Sequence, residues 1–538
     1  MHMQSRLLSA AILAALVASA PAVAGKFDQS PAALRAKGLV DGRAATAAHR
    51  ADADTFSATD VIVDRDGTEH VRMQRSWRGL PVIGGDMVVH SRNGRFKAAS
   101  LSLKSSARPG TTGRIGGDEA TIAAGADFGS DFEGMRSARK VVYALRGTPK
   151  LAYEVVFTGT RHDQTPTEMH YFVDASSGAI LDKYDMVHTG KPGGGGGGGG
   201  GTAAVGTGNT LQYGDVALNT ASASGSFNLT DTTRGGGATY DANNVSYSRA
   251  ARRATLFTDA DNNWGNNSMS DRATIAAEAH FGVATTFDYY KNTHGRNGIF
   301  NDGQGVKSYV HVGNGWVNAA WYANAMYYGD GGGSYLPLTV LDVAGHEMSH
   351  GVNQATAGLV YSNDAGGLNE ANSDIMGTMV EFYANNASDT PDYKIGEEIY
   401  ANNPGGTNAL RYMFRPGDAD GGASYNCYPA GGLGGVDPHY SSGPANHFFY
   451  LLAEGAVNPA GFNYTASQLV CNGDTGVSGI GRDAAQKIWY RALVVYMTSG
   501  TTYPQARAAT LNAAADLHGN GSAQYNAVAR AWSAVGVN

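Results

Sequence analysis

Cysteine is nearly absent: Cys427 and Cys471 are the only two in 538 residues. The chain has neither a Cys-X-X-Cys redox motif nor a cysteine-nucleophile signature. In an oxidising compartment the pair is expected to close one long loop as a disulfide, with two buried thiols as the alternative. Charge is also sparse, at 16% of residues, and unevenly placed. Residues 202–538 hold 16 Lys and Arg against 27 Asp and Glu, whereas residues 26–201 hold 23 against 20. An acidic main region excludes nucleic acid as the natural partner and suits bound cations. It also suits docking with the slightly basic N-terminal part. Beyond residue 20 no apolar run is long enough to span a bilayer. The one apolar run, "LLSAAILAALVASA" at 7–20, follows Arg6 and precedes "AVA" at 22–24. This pattern predicts a secretory signal peptide over residues 1–24, cut after Ala24. The mature chain is then expected to be soluble, monomeric, extracellular and free of the membrane.

Glycine, by contrast, is abundant, with 74 residues. "GKPGGGGGGGGG" at 190–201 holds a run that forms neither helix nor strand, because glycine loses too much backbone entropy on ordering. It reads as an exposed, protease-accessible linker dividing residues 25–190 from residues 202–538. Before it, "EHVRMQRSWRGLPVIGGDMVVHS" (69–91) alternates polar and apolar residues with turns at Arg78-Gly79 and Gly84-Gly85. "KLAYEVVFTG" (150–159) and "EMHYFVDASSGAILDKY" (168–184) repeat the strand pattern, with a helical patch at 118–128. After the linker, residues to about 335 read as strands and turns plus one helix at 272–295. Helical periodicity then dominates, at 340–356, 369–385, 441–455, 482–498 and 504–518. The expected fold class is α+β, with a strand-rich lobe followed by a helical lobe and the 340–356 helix at their junction, a usual place for a cleft.

That junction carries "VAGHEMSHGV" (343–352). In a helix His346 and His350 lie on one face a turn apart, so both imidazoles can converge on one cation. Glu347, rotated about 100° away, can instead reach a water beside the metal, the division of labour of a His-Glu-x-x-His hydrolase. A catalytic zinc needs a third protein ligand. Glu370 in "GGLNEANSD" (366–374) is the candidate, at the opening of another helix, with Asp374 one turn on to take the second N–H of His346. A third histidine of the HExxHxxGxxH type is excluded, because those positions hold Asn353 and Thr356.

Five ordered blocks resemble the thermolysin family of zinc metalloproteases: "VNAAWYANAMYYGDGGG" (317–333), "PLTVLDVAGHEMSHGV" (337–352), "GLVYSNDAGGLNEANSDIMGTMVEFYAN" (358–385), "NALRYM" (408–413) and "DPHYSSGPANHFFYLLAEG" (437–455). The resemblance runs from about Gly206 to Asn538 and implies a two-lobed catalytic domain. It implies that His346, His350 and Glu370 bind zinc, that Glu347 is the general base, and that Tyr361 and His439 face the developing oxyanion. Asp437 would hold the His439 ring, as in the elastase-like branch. Asn318 and the Ala319 backbone would hold the substrate strand, and Arg411 a peptide carbonyl. Leu338, Val343 and Leu410 match an apolar pocket that selects the residue just after the cut. Asp342, Glu381, Asp392 and Glu397 match the family's main calcium site, but Lys394 stands where some members have a further carboxylate, which implies one calcium there rather than two. "FTDADNN" (257–263) resembles another calcium loop through Asp259 and Asp261, with a plain Asx-rich turn as the alternative.

The N-terminal segments resemble the family's propeptide, a fungalysin/thermolysin propeptide-like module at about 50–100 and a PepSY-like module at about 115–185. They imply a zymogen whose own propeptide inhibits it and assists its folding. The expected activity is hydrolysis of protein or peptide substrates on the amino side of hydrophobic residues. The competing readings are a catalytically silent zinc-stabilised binding or adhesion protein, which would lack the base or the oxyanion donors, and a peptidase specialised for short peptides.

Overall fold

The computed structural model describes residues 27–187, 201–403 and 406–538. The expected signal peptide and the glycine tract of the linker lie outside the described residues. Residues 54–185 build one nine-stranded sheet. Leu80–Ile83 pairs in parallel with Asp131–Tyr143 and joins the two halves. The turns at Arg78-Gly79 and Gly84 adopt positive φ, as their residues suggest. Two strands of this sheet, β1 (Lys150–Thr160) and β2 (Pro166–Asp174), form an antiparallel hairpin with Thr160 opposite Pro166.

Beyond the linker, two small sheets form the strand-rich lobe. Its edge strand β3 (Ala319–Tyr322) pairs on one side only, antiparallel to Ala325–Gly329. Helix α1 (Arg272–His294) lies against these sheets. Helix α2 (Leu341–Ala355) carries the His-Glu-x-x-His stretch and packs closely on α3 (Asn363–Ala384). Glycines allow that approach. A Cβ on Gly345 would sit 2.9 Å from the Gly377 Cα, and one on Gly377 would sit 2.3 Å from the Asp342 carbonyl oxygen.

The periodicity predicts α3 only from about residue 369, yet the helix starts at Asn363 and Glu370 lies two turns inside it. The reason is Gly366-Gly367, which reads as a loop signal in sequence. Here the glycines make room for a neighbour: a Cβ on Gly367 would lie 2.5 Å from the Ser441 carbonyl oxygen, and one on Gly366 3.0 Å from the Pro438 ring. Helix α4 (Gly443–Ala453) and helix α5 (Arg482–Arg491), which continues into a wider π-turn over Ala492–Tyr496, complete the helical lobe together with Tyr503–His518 and Ala523–Ala534. Cys427 and Cys471 are disulfide-bonded.

The N-terminal sheet grips both lobes. Arg72 donates to the Val494 and Met497 carbonyls at 3.1 and 3.0 Å, at the end of the π-turn. Arg491 forms a two-pronged pair with Asp64 at 2.8 and 2.6 Å. The Ser499 N–H donates to Asp86 at 2.9 Å, and Ser102 meets Thr498 at 2.8 Å.

Candidate active site

Helix α2 places His346 and His350 one turn apart with their Nε2 atoms 3.0 Å from each other. Glu370 reaches across from α3, with its carboxylate oxygens 3.5 Å from His346 Nε2 and 3.4 Å from His350 Nε2. Among the described residues this is the one trio of metal-ligating side chains whose donor atoms all lie within 4.8 Å of one another, and all three side chains are buried. The tautomers fit a metal. The His346 Nδ1 proton goes to Asp374 at 2.8 Å and the His350 Nδ1 proton to Asn369 Oδ1 at 2.8 Å, so each Nε2 presents a lone pair to the shared point. Two lone pairs and a carboxylate facing one another inside a protein suit a divalent cation.

Asp374 anchors this arrangement. Besides His346 it accepts Arg411 Nε and Nη2 at 2.8 and 2.7 Å and Asn446 Nδ2 at 2.7 Å. Burial works to raise the Asp374 pKa, but Arg411 and His346 outweigh it and hold the carboxylate well below its ordinary range. Burial likewise opposes protonation of His346, yet the Asp374 bond and the Glu370 charge raise it above the usual value. His350 is depressed to about 4, mainly by burial.

Glu347 follows His346 on α2 and lines the same cleft. Its Oε2 accepts the Trp321 backbone N–H of the edge strand at 2.9 Å, and burial raises its pKa. Tyr361 donates to Glu370 at 2.5 Å and lies 3.2 Å from His439 Nε2. Burial pushes the phenol well above its normal pKa, so it stays a donor. His439 stands on the short turn Pro438–Ser441, and its Nδ1 meets Asp437 at 2.8 Å. Its side chain keeps 45% of its surface exposed, facing the cleft. Burial tends to lower its pKa, but the Glu370 charge and the Asp437 bond raise it, which favours the protonated, donating ring.

One cleft is lined by Asn318, Ala319, Leu338, Val343, Leu410 and Arg411, together with His346, Glu347 and His439. The expected zinc ligands His350 and Glu370 adjoin this cleft through His346, and Tyr361 adjoins it through His439. Arg411 spends two of its donors on Asp374. Sequence reasoning missed Asn369, Asn446 and the Trp321 N–H. Asn369 directly precedes Glu370, but nothing in the spacing links Asn446 to Asp374, 72 positions away.

A second acidic cluster lies behind α2. Asp342, Glu381 and Glu397 are buried, and neither oxygen of Glu381 nor Glu397 Oε2 has a hydrogen-bond partner. Burial, then mutual repulsion, raises the pKa of Glu381 well above normal. Burial raises Glu397 well above normal too, with Asp342 and Asp392 adding to the shift. Unpaired buried carboxylates fit a hard cation such as calcium. Asp389 and Glu398, which the sequence reading left out, belong to the same charged group. Lys394 pairs with Asp392 at 2.7 Å and with Glu397 at 3.5 Å, so part of the cluster is already neutralised. The Asp259–Asn263 loop closes as an Asx turn, with Asp259 Oδ1 accepting the N–H groups of Asp261 and Asn262 at 2.8 and 2.6 Å.

A strand-rich lobe and a helical lobe meeting at a His-His-Glu cluster, with a buried glutamate, a tyrosine and a histidine beside it, define a two-lobed zinc metallopeptidase. The chain belongs to the thermolysin family. Residues 205–354 match the thermolysin metallopeptidase catalytic domain, residues 357–537 its alpha-helical domain, and residues 54–103 the Fungalysin/Thermolysin Propeptide Motif. The chain is 45% identical over 488 residues to a transglutaminase-activating metalloprotease of Streptomyces mobaraensis, covering 89% of this chain and 60% of that protein. It is 37% identical over 494 residues to a thermolysin of Alicyclobacillus acidocaldarius subsp. acidocaldarius, covering 88% of this chain and 84% of that protein. Among solved structures, the precursor of protealysin, a metalloproteinase from Serratia proteamaculans, matches at 28% identity and a TM-score of 0.42, over 56% of this chain and 87% of that one.

Proposed function

We propose that the chain is the secreted precursor of a zinc-dependent neutral endopeptidase that cleaves proteins on the amino side of hydrophobic residues. The observation that carries this reading is the meeting of His346, His350 and Glu370 at one point, with Glu347 and His439 lining the adjoining cleft and Tyr361 beside His439. His346, His350 and Glu370 would hold the zinc, which when bound polarises the scissile carbonyl and makes water a better nucleophile. Glu347 takes the proton of the attacking water and hands it to the leaving amine. Its bond from the Trp321 N–H ties the base to the strand along which a substrate would lie. Tyr361 and protonated His439 donate to the oxygen on which charge develops. Asn318 and Ala319 hold the substrate strand, and Leu338, Val343 and Leu410 receive an apolar side chain after the cut. The cluster around Asp342, Glu381, Asp392 and Glu397 would bind one calcium, because the Lys394 ammonium already serves Asp392.

The organisation proposed is a signal peptide over 1–24, a propeptide over 25–190, a linker over 190–201 and a monomeric catalytic domain over 202–538. The propeptide match at 54–103 and the grip of Arg72 and Asp64 on the helical lobe support a propeptide that assists folding. The test is casein hydrolysis by the processed protein and by Glu347→Ala, with zinc measured in both. Activity in the parent, loss in the variant and about one zinc in each support the reading. Equal activity in both would overturn the proposed base.

A further inference from the structure

Helix α5 and its π-turn end at a loop, Met497–Thr501, that no step of the proposed reaction uses. The last carbonyls of a helix have no partner within it, and the negative end of the helix dipole favours a cation. Arg72 of the N-terminal sheet occupies that place. It is buried, and its Nη2 donates to the Val494 and Met497 carbonyls at 3.1 and 3.0 Å. Two carboxylates come with it. Asp86 accepts the Ser499 N–H at 2.9 Å and also the Ser499 hydroxyl. Asp64 takes both prongs of Arg491, at 2.8 and 2.6 Å. The helical lobe therefore presents a seat for one guanidinium and, in Ser499 and Arg491, two partners for carboxylates.

The seat is held by the helical lobe itself. Asp516 accepts Arg491 Nη2 at 2.7 Å and the Tyr496 hydroxyl at 2.6 Å. Thr501 Oγ1 accepts the Thr498 N–H at 2.8 Å, and the Ser499 carbonyl accepts the Val360 N–H at 3.0 Å. Val360 directly precedes Tyr361, so the loop is tied to the segment that carries one of the proposed oxyanion donors. Gly500 admits a close neighbour: a Cβ there would lie 3.0 Å from Leu145 and 3.1 Å from Ser102. The sheet that brings Arg72 to this loop also brings Thr165, at the tip of the β1–β2 hairpin, to the cleft, where Thr165 Oγ1 accepts Asn318 Nδ2 at 3.2 Å. One protein-sized body thus spans the cleft and the loop at once.

We propose that the groups that Arg72, Asp64 and Asp86 leave behind on release, namely the Val494 and Met497 carbonyls, Ser499 and Arg491, form an exosite of the mature enzyme for protein substrates. It takes an arginine displayed near an aspartate or glutamate, away from the bond that is cut. Each terminal guanidinium nitrogen carries two N–H donors in one plane, one for each carbonyl, and a guanidinium is more weakly hydrated than an ammonium, so burying it costs less. Docking there holds the substrate equally before and during the reaction, so it lowers KM for proteins and leaves kcat alone. The proposal rests on the endopeptidase reading.

The experiment uses the processed protein and three substrates: native casein, casein whose arginines have been converted to neutral citrulline, and a short fluorogenic peptide with a central leucine and no arginine. Citrullination raises the KM of the parent for casein about tenfold and leaves kcat unchanged. Two variants locate the effect. Thr498→Arg adds a cation beside the two carbonyls, and Arg491→Ala removes a partner for carboxylates. Each raises the KM for native casein about fivefold or more and leaves hydrolysis of the short peptide unchanged. Equal KM for the two caseins in the parent overturns the proposal, whether or not either variant matures. So does an unchanged casein KM in a variant that cleaves the short peptide normally. Hydrolysis of the short peptide by the parent judges the endopeptidase reading separately, so the two failures are distinguishable.

Discussion

The roles proposed for Glu347, Tyr361 and His439 rest on different atoms, and variants separate them. Removing the base with Glu347→Ala is expected to lower kcat by about 10²–10⁴ while zinc stays bound, since no metal-directed atom changes. Tyr361→Phe deletes a hydroxyl that lies 3.2 Å from His439 and 2.5 Å from Glu370. A loss of about 10²–10³ in kcat with little change in KM is expected if it serves the transition state. An equal fall in zinc content would assign the hydroxyl to holding Glu370 instead. At this scale the His-Glu-x-x-His roles were readable from spacing, because i and i+4 on a helix are neighbours whatever the fold. Asn446 was not readable: its bond to Asp374 exists only because α4 lies against α3.

Among the elements, the α2–α3 contact sets the metal geometry. Gly377→Ala puts a methyl into a space where 2.3 Å separates it from the Asp342 carbonyl oxygen, so the helices must part. A loss of about 1–3 kcal/mol in stability is expected from overpacking, with zinc affinity falling in step as Glu370 moves. Denaturant unfolding and zinc titration of the same variant check this. The acidic segment around Glu381 and Glu397 gives a second outcome. In the calcium-free protein these carboxyls have raised pKa values in the folded state. Their contribution to stability is present below the ordinary carboxylate range and is lost as pH rises towards the raised folded values. The melting temperature of chelated protein is therefore expected to fall as pH rises from 5 to 8, with added calcium restoring most at the upper end. A flat profile would argue against the cluster as a cation site. Periodicity located most of the helices, but the start of α3 was misread because Gly366-Gly367 serves packing against Pro438–Ser441 rather than a turn.

For the whole molecule, the contact between prosegment and helical lobe contains a titratable pair. His70 and His90 lie on neighbouring strands with Nδ1 atoms 2.6 Å apart, His70 Nε2 meets Asp64 at 2.9 Å, and His90 Nε2 meets Ser100 at 2.9 Å. Arg491 and Tyr496 of the helical lobe pack over them. Burial depresses His90 to about 3 and lowers His70 despite Asp64. Two Nδ1–H groups cannot face each other at that distance, so full protonation breaks the pair. The stabilisation is present above the ordinary histidine value of 6.5 and is lost as pH falls below it. Prosegment docking is expected to weaken between pH 6.5 and 5, and dissociation measured across that range in parent and His90→Asn checks it. A variant with unchanged pH dependence would exclude the pair. The two N-terminal runs of strands were legible as separate patterns. Their union into one sheet was not, because the joining pair, Leu80–Ile83 with Asp131–Tyr143, links strands about 60 positions apart.

The amino-acid sequence by itself pointed to the His-Glu-x-x-His helix, to Glu370 as its partner and to the thermolysin family. These follow from local spacing, composition and ordered motif blocks, which carry their meaning before folding. Only the tertiary structure decided that Asn369 and Asn446 position the ligand sphere, that Asp389 and Glu398 join the acidic cluster, and that Thr165 lies on Asn318. Each is a contact between segments distant in the chain, made by packing of whole elements, and no local pattern encodes which distant side chains such packing will bring within hydrogen-bond reach.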